Sequence, residues 1–282
     1  MALQSSERLV YVRPDGVQYL LHAPPSRAVL SEEGFGMPAL KYNTDRYPFQ
    51  SGDSVRSVVL EPRALQITVT QNYCSRADYW SGRASLLDAI RPNRIGNFNN
   101  PGKLLYYRSG GSKRQLDVIP DSGPGFAPPQ GGWRAWSFTE VLRFVAHDPV
   151  WYDPVQHTLD INVAGALPVS SDMFYNGTWA EQPSLYLVGP ITNPVITNTW
   201  TDTKLALNYT FAAGETANFS LHGQRYIIKN DGTNLVPFLT PDSDFTTFTL
   251  EPEDNTIELN GSGAVAGTTA LHMYWYDRYI GI

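Results

Sequence analysis

From His157 to the end, the chain consists of short β-prone runs separated by turn chemistry, and this limits the possible folds more than any other feature. The runs are His157–Val163, Ser184–Val188, Pro194–Thr199, Lys204–Phe211, Thr216–Leu221, Gln224–Lys229, Phe245–Leu250, Thr256–Leu259 and Thr269–Tyr276. Thr201-Asp202, Ala213-Gly214, Asn230-Asp231-Gly232 and Asn260-Gly261 punctuate them. Gly, Asn and Asp reach the backbone conformations that reversals need, so many short strands at regular spacing predict an antiparallel sandwich or jelly roll.

The first half is also mainly β, with one exception. Arg8–Arg13 and Val17–His22 read as a hairpin around Pro14-Asp15-Gly16, and Gly34–Pro48 reads as irregular. Val55–Leu60 and Ala64–Tyr73 read as a second hairpin. In the latter, Leu65, Ile67 and Val69 alternate with Gln66, Thr68 and Thr70, the period of a half-buried strand. Arg76–Ile90 has helical period, with Ser75 as N-cap, Pro92 as stop, and Trp80, Ala84 and Leu87 as the stripe that should dock on the sheet, with Leu86 and Ile90 alongside. Lys103–Arg108 and Lys113–Ile119 form another hairpin around Ser109-Gly110-Gly111-Ser112. Asp121–Gly132 is a Gly/Pro-rich loop, and Trp136–Ala146 is a long strand. His147-Asp148-Pro149 ends that strand, which divides the chain into domains 1–148 and 149–282.

Composition narrows the function. Seven Trp and 16 Tyr suit pleated half-buried surfaces and protein interfaces. The net charge is -6 with no Lys/Arg block, which argues against specific nucleic-acid binding. Cys74 is the one cysteine, so no intrachain disulfide or thiolate cluster can form; at a strand end it reads as a small buried hydrophobe. MALQSSERLV lacks the regions of a signal peptide, and no apolar run reaches membrane-span length, so a soluble chain made in a reducing compartment is expected. The sequons at Asn176, Asn208, Asn218 and Asn260 read as chance in an Asn/Thr-rich segment.

Candidate chemistry is thin. There is no Gly-x-Ser-x-Gly elbow, and Gly123-Pro124-Gly125 and Gly131-Gly132 lack the helix and Lys of a phosphate cradle. His147, Asp148, Asp153 and His157 could ligate a metal, but they match no zinc spacing, and Asp148-Pro149 and Asp153-Pro154 are turn pairs. Glu251, Glu253 and Asp254 could supply paired carboxylates, yet Glu-Pro-Glu-Asp-Asn reads better as a solvated turn. Trp179 and Trp200 could stack on sugar, or cover core or subunit contacts. No catalytic residue, metal site or cofactor is expected.

Several segments fall in a recognisable order. The first half has Gly36-Met37-Pro38, Tyr47-Pro48-Phe49-Gln50-Ser51-Gly52, Leu60-Glu61-Pro62-Arg63-Ala64-Leu65-Gln66-Ile67, a helix with Arg83 and Leu86-Leu87, then Arg91-Pro92-Asn93. Gly102-Lys103-Leu104, Arg114-Gln115-Leu116 and Phe144-Val145-Ala146-His147-Asp148-Pro149-Val150-Trp151 follow. The second half has Tyr175-Asn176-Gly177-Thr178-Trp179, Pro183-Ser184-Leu185-Tyr186-Leu187-Val188-Gly189-Pro190, Thr192-Asn193-Pro194-Val195-Ile196-Thr197-Asn198, Phe248-Thr249-Leu250-Glu251-Pro252-Glu253-Asp254-Asn255 and a closing strand, Leu271–Arg278. This order resembles the distal tail protein (Dit) family of siphophages over nearly the whole length. Where the family more often has Pro-Gly-x-Asn, this chain has Pro252-Glu253-Asp254-Asn255, which bears on the turn type.

The resemblance implies a mainly β protein: an N-terminal β-barrel-like belt domain with one α-helix, and a C-terminal galectin-like antiparallel β-sandwich. It implies a non-enzymatic structural subunit at the virion's tail tip, made in the host cytoplasm. Six copies would form a ring between the tail tube protein and the tip or baseplate hub protein, with genomic DNA passing through unbound and no membrane contact. Arg63, Arg83, Arg91 and Arg114 are candidates for subunit-interface or lumen contacts, or for ordinary surface ion pairs. A carbohydrate-binding, lectin-like module for host adsorption is the alternative, and a tail-associated glycoside hydrolase is a third reading.

Overall fold

The computed structural model describes residues 7–91, 100–126 and 136–282. The chain divides into two compact units: unit 1 is Met1–Tyr152 with Ile280–Ile282, and unit 2 is Asp153–Tyr279.

Unit 1 contains β1 (Arg8–Val12), β2 (Gln18–Leu20), β3 (Arg27–Glu33), β4 (Leu40–Asp45), β5 (Ser54–Leu60), β6 (Arg63–Tyr73), α1 (Arg76–Ile90), β7 (Gly102–Tyr107), β8 (Lys113–Ser122) and β9 (Trp136–Ala146). Its main sheet runs β2-β1-β7-β8-β9-β6-β3, antiparallel throughout. The path has open ends, so among the described residues no barrel closes. β8 makes the long path possible: Lys113–Val118 pairs with β7, and from Ile119 the strand pairs with β9, with an irregularity between Pro120 and Ser122. β6 pairs with β9 over its full eleven residues, and its inward Leu65, Ile67 and Val69 are fully buried as the alternation requires.

Four expectations fail in unit 1. β5 pairs with β4 in a separate two-stranded sheet, and β6 lies between β3 and β9, so β5 and β6 are not a hairpin. β4 falls inside the segment expected to be irregular. The third failure is the phase of α1. Ser75 caps the helix as expected, accepting from the Asp78 N–H at 3.1 Å. The buried residues, however, are Tyr79, Gly82, Leu86, Ala89 and Ile90, while Trp80 is 47% and Leu87 46% exposed. Gly82 sets this rotation: a Cβ there would collide with the Tyr73 ring, so the helix presents its bare position to the sheet. Tyr79 then enters a cluster with Tyr73, Trp136 and Phe138 at centroid distances of 5.8–6.4 Å. Cys74, expected to be buried, is exposed. The expected stop, Pro92, and the Gly131-Gly132 pair lie outside the described residues.

Unit 2 is a sandwich. It opens on β10 (Trp151–Asn162), whose first two residues belong to unit 1, and adds β11 (Val169–Tyr175), β12 (Ser184–Val188), β13 (Ile191–Asn198), β14 (Thr203–Ala206), β15 (Thr210–Phe211), β16 (Thr216–Ser220), β17 (Tyr226–Lys229), β18 (Glu253–Ser262) and β19 (Ala270–Tyr279). One sheet runs β17-β16-β12-β19-β10; the other runs β11-β18-β13-β14, with β15 also on β13. Leu185, Leu187, Phe219, Leu271 and Met273 from the first meet Tyr175, Ile196, Leu205, Ile257 and Leu259 from the second in one core. Three readings change here. Lys204–Phe211 is split between β14 and β15, Asn260-Gly261 continues β18 instead of turning, and Phe245–Leu250 is not a strand. There the Asp244 carbonyl accepts from the Thr247 and Phe248 N–H groups, and the resulting turn delivers Phe248 into the core.

Candidate interaction surfaces

Among the described residues of unit 1, the β4–β5 hairpin is the element left most exposed. Its register runs Leu40↔Leu60, Tyr42↔Val58 and Asp45↔Ser54, with a bulge at Asn43/Thr44. The two strands hydrogen-bond only to each other, and most residues of both faces are exposed. Tyr42, Tyr47, Val55, Val58 and Val59 are large exposed apolar side chains, and Phe49 at the tip is wholly exposed. The tip is built, not loose. Gln50 accepts from the Tyr47 N–H at 3.1 Å and donates to Ser54 Oγ at 2.9 Å, and Arg56 pairs with Asp45. Phe49 sits at φ 67°, a left-handed conformation that costs a bulky residue about 1 kcal/mol or more. A lone two-stranded hairpin is marginal in water, and contiguous exposed apolar surface marks an interaction site.

A second exposed group lies on the outer side of α1. The Arg83 guanidinium packs over the rings of Trp80 at 4.9 Å and Phe126 at 4.1 Å, so its charge is held against aromatic faces. Trp80 and Leu87 extend this surface.

The four arginines proposed from sequence separate sharply. Arg63 is not an interface or lumen residue: it is 2% exposed, and all its bonds go to backbone carbonyls of its own unit. Nε donates to Pro149 at 2.7 Å, Nη1 to Gly34 at 2.7 Å and to Gly36, and Nη2 to Ile280 at 2.8 Å. Burial without a carboxylate pulls its pKa down to about 10, so it stays charged at neutral pH. It ties together the segments around Gly34, Pro149 and the chain's last residues. Arg114 is also buried, with Nη1 donating to the Lys113 carbonyl at 3.4 Å. Arg91 pairs with Asp88 at 3.2 Å, and Asp88 also receives Arg13 at 2.6 Å. Of the four, Arg83 and Arg91 reach the surface.

The remaining candidates do not assemble into a catalytic or metal site. Asp148 and Asp153 each accept a backbone N–H two residues on, from Val150 and Val155, the Asx geometry of a turn. His157 stacks on Trp275 and pairs with Asp277 at 3.3 Å. Glu251 accepts from Thr249 Oγ1 at 3.1 Å, while Glu253 and Asp254 enter β18 opposite Tyr175 and Phe174. No group of three His, Cys, Asp or Glu among the described residues could hold a metal. Trp179 and Trp200 are both exposed, on separate connections, and among the described residues no ring contact joins them.

Unit 2 also has a surface that sequence reasoning passed over. On the outer face of its first sheet, two adjoining depressions of about 390 and 350 Å³ share Tyr186, Asn218 and Tyr226. The signal was present in the alternation of β12, where Leu185 and Leu187 point inward and Tyr186 must point out.

An open antiparallel sheet with one helix, joined to a two-sheet sandwich, is the fold of a siphophage tail component. Residues 176–279 match the family described as the siphovirus-type tail component, C-terminal domain. The resemblance to the distal tail, or Dit, family is borne out at the level of fold: that stretch matches the family's C-terminal domain, and the chain as a whole shares a fold with a Dit crystal structure. The crystal structure of SPP1 Dit, a protein described as a paradigm of the hub adsorption apparatus in phages infecting Gram-positive bacteria, matches with TM-score 0.65 at 16% identity, over 96% of this chain and 98% of that one. A chain of the phage P2 baseplate in its calcium-activated conformation matches with TM-score 0.47 at 9% identity, over 95% of this chain and 97% of that one. No curated protein matches by sequence.

Proposed function

We propose that the protein is a ring-forming, non-enzymatic subunit of a phage tail tip, and that the β4–β5 hairpin carries the assembly. Residues 1–148 form the ring and residues 149–282 the outward module. Six copies close head to tail, each hairpin laying Tyr42, Phe49 and Val58 on its neighbour, with the Trp80–Arg83–Leu87 surface available as further contact. The single observation behind this is an ordered hairpin whose apolar side chains are left exposed by the described residues of their own chain. The fold's likeness to a hub protein agrees with it. The ring joins the tail tube to the tip or baseplate hub in the virion.

DNA passage belongs to the same proposal, and the charge is compatible with it. Six chains at -6 each give 6 × -6 = -36, and a conduit must not trap a polyanion. The lumen is therefore neutral or acidic. Arg63, committed to its own backbone, and Arg91, paired with Asp88, are consistent with that.

Light scattering and negative-stain imaging test the assembly. The wild-type chain at high concentration, or within isolated tails, gives six-fold rings. The pair Phe49→Ser and Val58→Ser abolishes them and leaves the melting temperature unchanged, because both side chains are already in water. A chain that stays monomeric even within tails overturns the reading. Micromolar duplex binding with a steep salt slope in a low-salt filter assay overturns the neutral lumen.

A further inference from the structure

We propose that the outer face of the unit 2 sheet holds a binding site for an uncharged glycan, in a trough walled by Tyr186, Tyr226 and Tyr274. The strand registers build it. Across β17, β16, β12 and β19 one row reads Tyr226, Ser220, Ser184, Tyr274. The next row reads Ile228, Asn218, Tyr186, His272. Two serines in the middle of the first row make a low floor between tyrosine walls, and Tyr186 rises beside it from the second row. Gln156 of β10 completes the lining of the roughly 350 Å³ depression. The slightly larger neighbour, at about 390 Å³, continues it past Asn218 and Ile228 to Lys229. Both fall at the small end of the range of about 300–1,000 Å³ for small-molecule sites.

The chemistry of the lining selects the ligand. Gln156, Ser184, Tyr186, Asn218, Tyr226 and Tyr274 carry no formal charge at neutral pH. Among the described residues none of these six side chains makes a hydrogen bond, so four hydroxyls and two amides face solvent with their capacity unspent. The charged groups at the edges are already neutralised. His272 pairs with Asp160 at 2.5 Å, and Lys229 is held by Glu215 at 2.8 Å and Asp231 at 2.9 Å. An anion finds no free cation, and a purely apolar ligand would strand the amides. A sugar ring meets both demands: its C–H face stacks on tyrosine, and its hydroxyls pair with Asn218, Gln156 and Ser184. Trp179 and Trp200 take no part. The site is independent of ring assembly.

Saturation-transfer NMR and calorimetry on the full chain test this with four named probes: maltohexaose, cellohexaose, chitohexaose and, as a charged control, dextran sulfate. At least one neutral oligosaccharide binds at millimolar Kd or tighter, and dextran sulfate does not. Tyr274→Ala, which shortens a wall, and Ser184→Trp, which fills the floor, each weaken binding at least tenfold. Both leave the melting temperature and the light-scattering mass unchanged, so failure here is separable from failure of the ring. The proposal is overturned if no neutral probe binds at about 10 mM, if either variant binds as the wild type does, or if dextran sulfate binds equally. Silence with all probes, joined to burial of Tyr226 and Tyr274 in assembled tails, assigns the face to a protein neighbour and overturns it as well.

Discussion

The two units solve the same problem in opposite ways. Unit 2 folds its apolar residues between two sheets, and strands such as β12 and β16 alternate strictly, so its core is closed by its own chain. Unit 1 buries a cationic side chain among carbonyls, packs its helix through a glycine, and leaves a hairpin with valine, tyrosine and phenylalanine in water. A closed sandwich is stable alone and can present a surface. An open sheet with an uncovered arm has apolar surface left over for a partner. The difference between the two units is thus written in where each hides its apolar surface.

Removing the central tie of unit 1 is the most severe way to break that contrast. Arg63→Ala removes the donors that Arg63 gives to the carbonyls of Pro149, Gly34, Gly36 and Ile280 and opens a hole the size of a guanidinium. The expected loss is about 3–5 kcal/mol, confined to unit 1. Calorimetry should show unit 1 melting early with the unit 2 transition in place; a single unchanged transition means the tie is dispensable. Arg63→Lys rescues little, because one ammonium cannot span four carbonyls.

The helix gives a sharper, smaller contrast. Tyr79→Ala removes the ring at the centre of the Tyr73–Trp136–Phe138 cluster and should cost about 3–4 kcal/mol in denaturant unfolding. Trp80→Ala, one residue on, removes a half-exposed ring and should cost less than about 1 kcal/mol. Equal losses would mean that the helix is rotated from the orientation described.

Much of this fold was legible in the sequence, and the failures share a cause. The bounds of Arg76–Ile90 and Ser184–Val188 were legible to the residue, the first from its Ser75 cap and helical period, the second from its apolar alternation, although the buried face of the helix was not. β3, β4 and β11 were missed because Ser31-Glu32-Glu33, Lys41–Asp45 and Ser170-Ser171-Asp172 have no apolar alternation to read. In β4 both faces are wet, so the period-2 signal has nothing to report. The false hairpin of β5 with β6 came from nearness in sequence, whereas pairing was decided by β9, which matches β6 along its full length. Arg63 stood in a recognised motif, yet its role depends on carbonyls 86 and 217 residues away, which no local pattern encodes. The tyrosine trough needs the register of four strands at once.

The departure from the family's usual turn makes a prediction of its own. Glu253 stands where Pro-Gly-x-Asn would place glycine, and its φ is 81°. The buried Asn255 holds it there, donating to the carbonyls of Glu251 at 2.7 Å and Glu253 at 3.3 Å and accepting from Asn198 at 3.0 Å. Glu253→Gly should stabilise unit 2 by about 0.5–1 kcal/mol, since relief of the left-handed strain exceeds the entropy that glycine adds to the unfolded chain. A lower melting temperature would show that the Glu253 side chain contributes more than its backbone costs.

The smallest effect separates the units by pH. Glu32 in β3 is partly buried, and its Oε2 has no hydrogen-bond partner. Desolvation, reinforced by repulsion from Glu7, raises its pKa above the usual 4.5. A carboxyl whose folded pKa lies above its unfolded value favours the folded state while protonated. That contribution is present below the unfolded pKa and is lost as pH rises through the folded one. Glu32→Gln, which fixes the neutral form, should therefore match wild type near pH 4 and gain an advantage above it. Solvent screening at this half-exposed site limits the gain to less than about 1 kcal/mol at pH 7. The difference belongs to the unit 1 transition, where neighbouring Tyr106 is itself pushed upward by burial and by both carboxylates. Melting curves of the two proteins from pH 4 to 8 should diverge in that transition and coincide in the transition of unit 2. Divergence in the opposite direction, with wild type gaining as pH rises, would mean that Glu32 has found a cationic partner in the assembled ring.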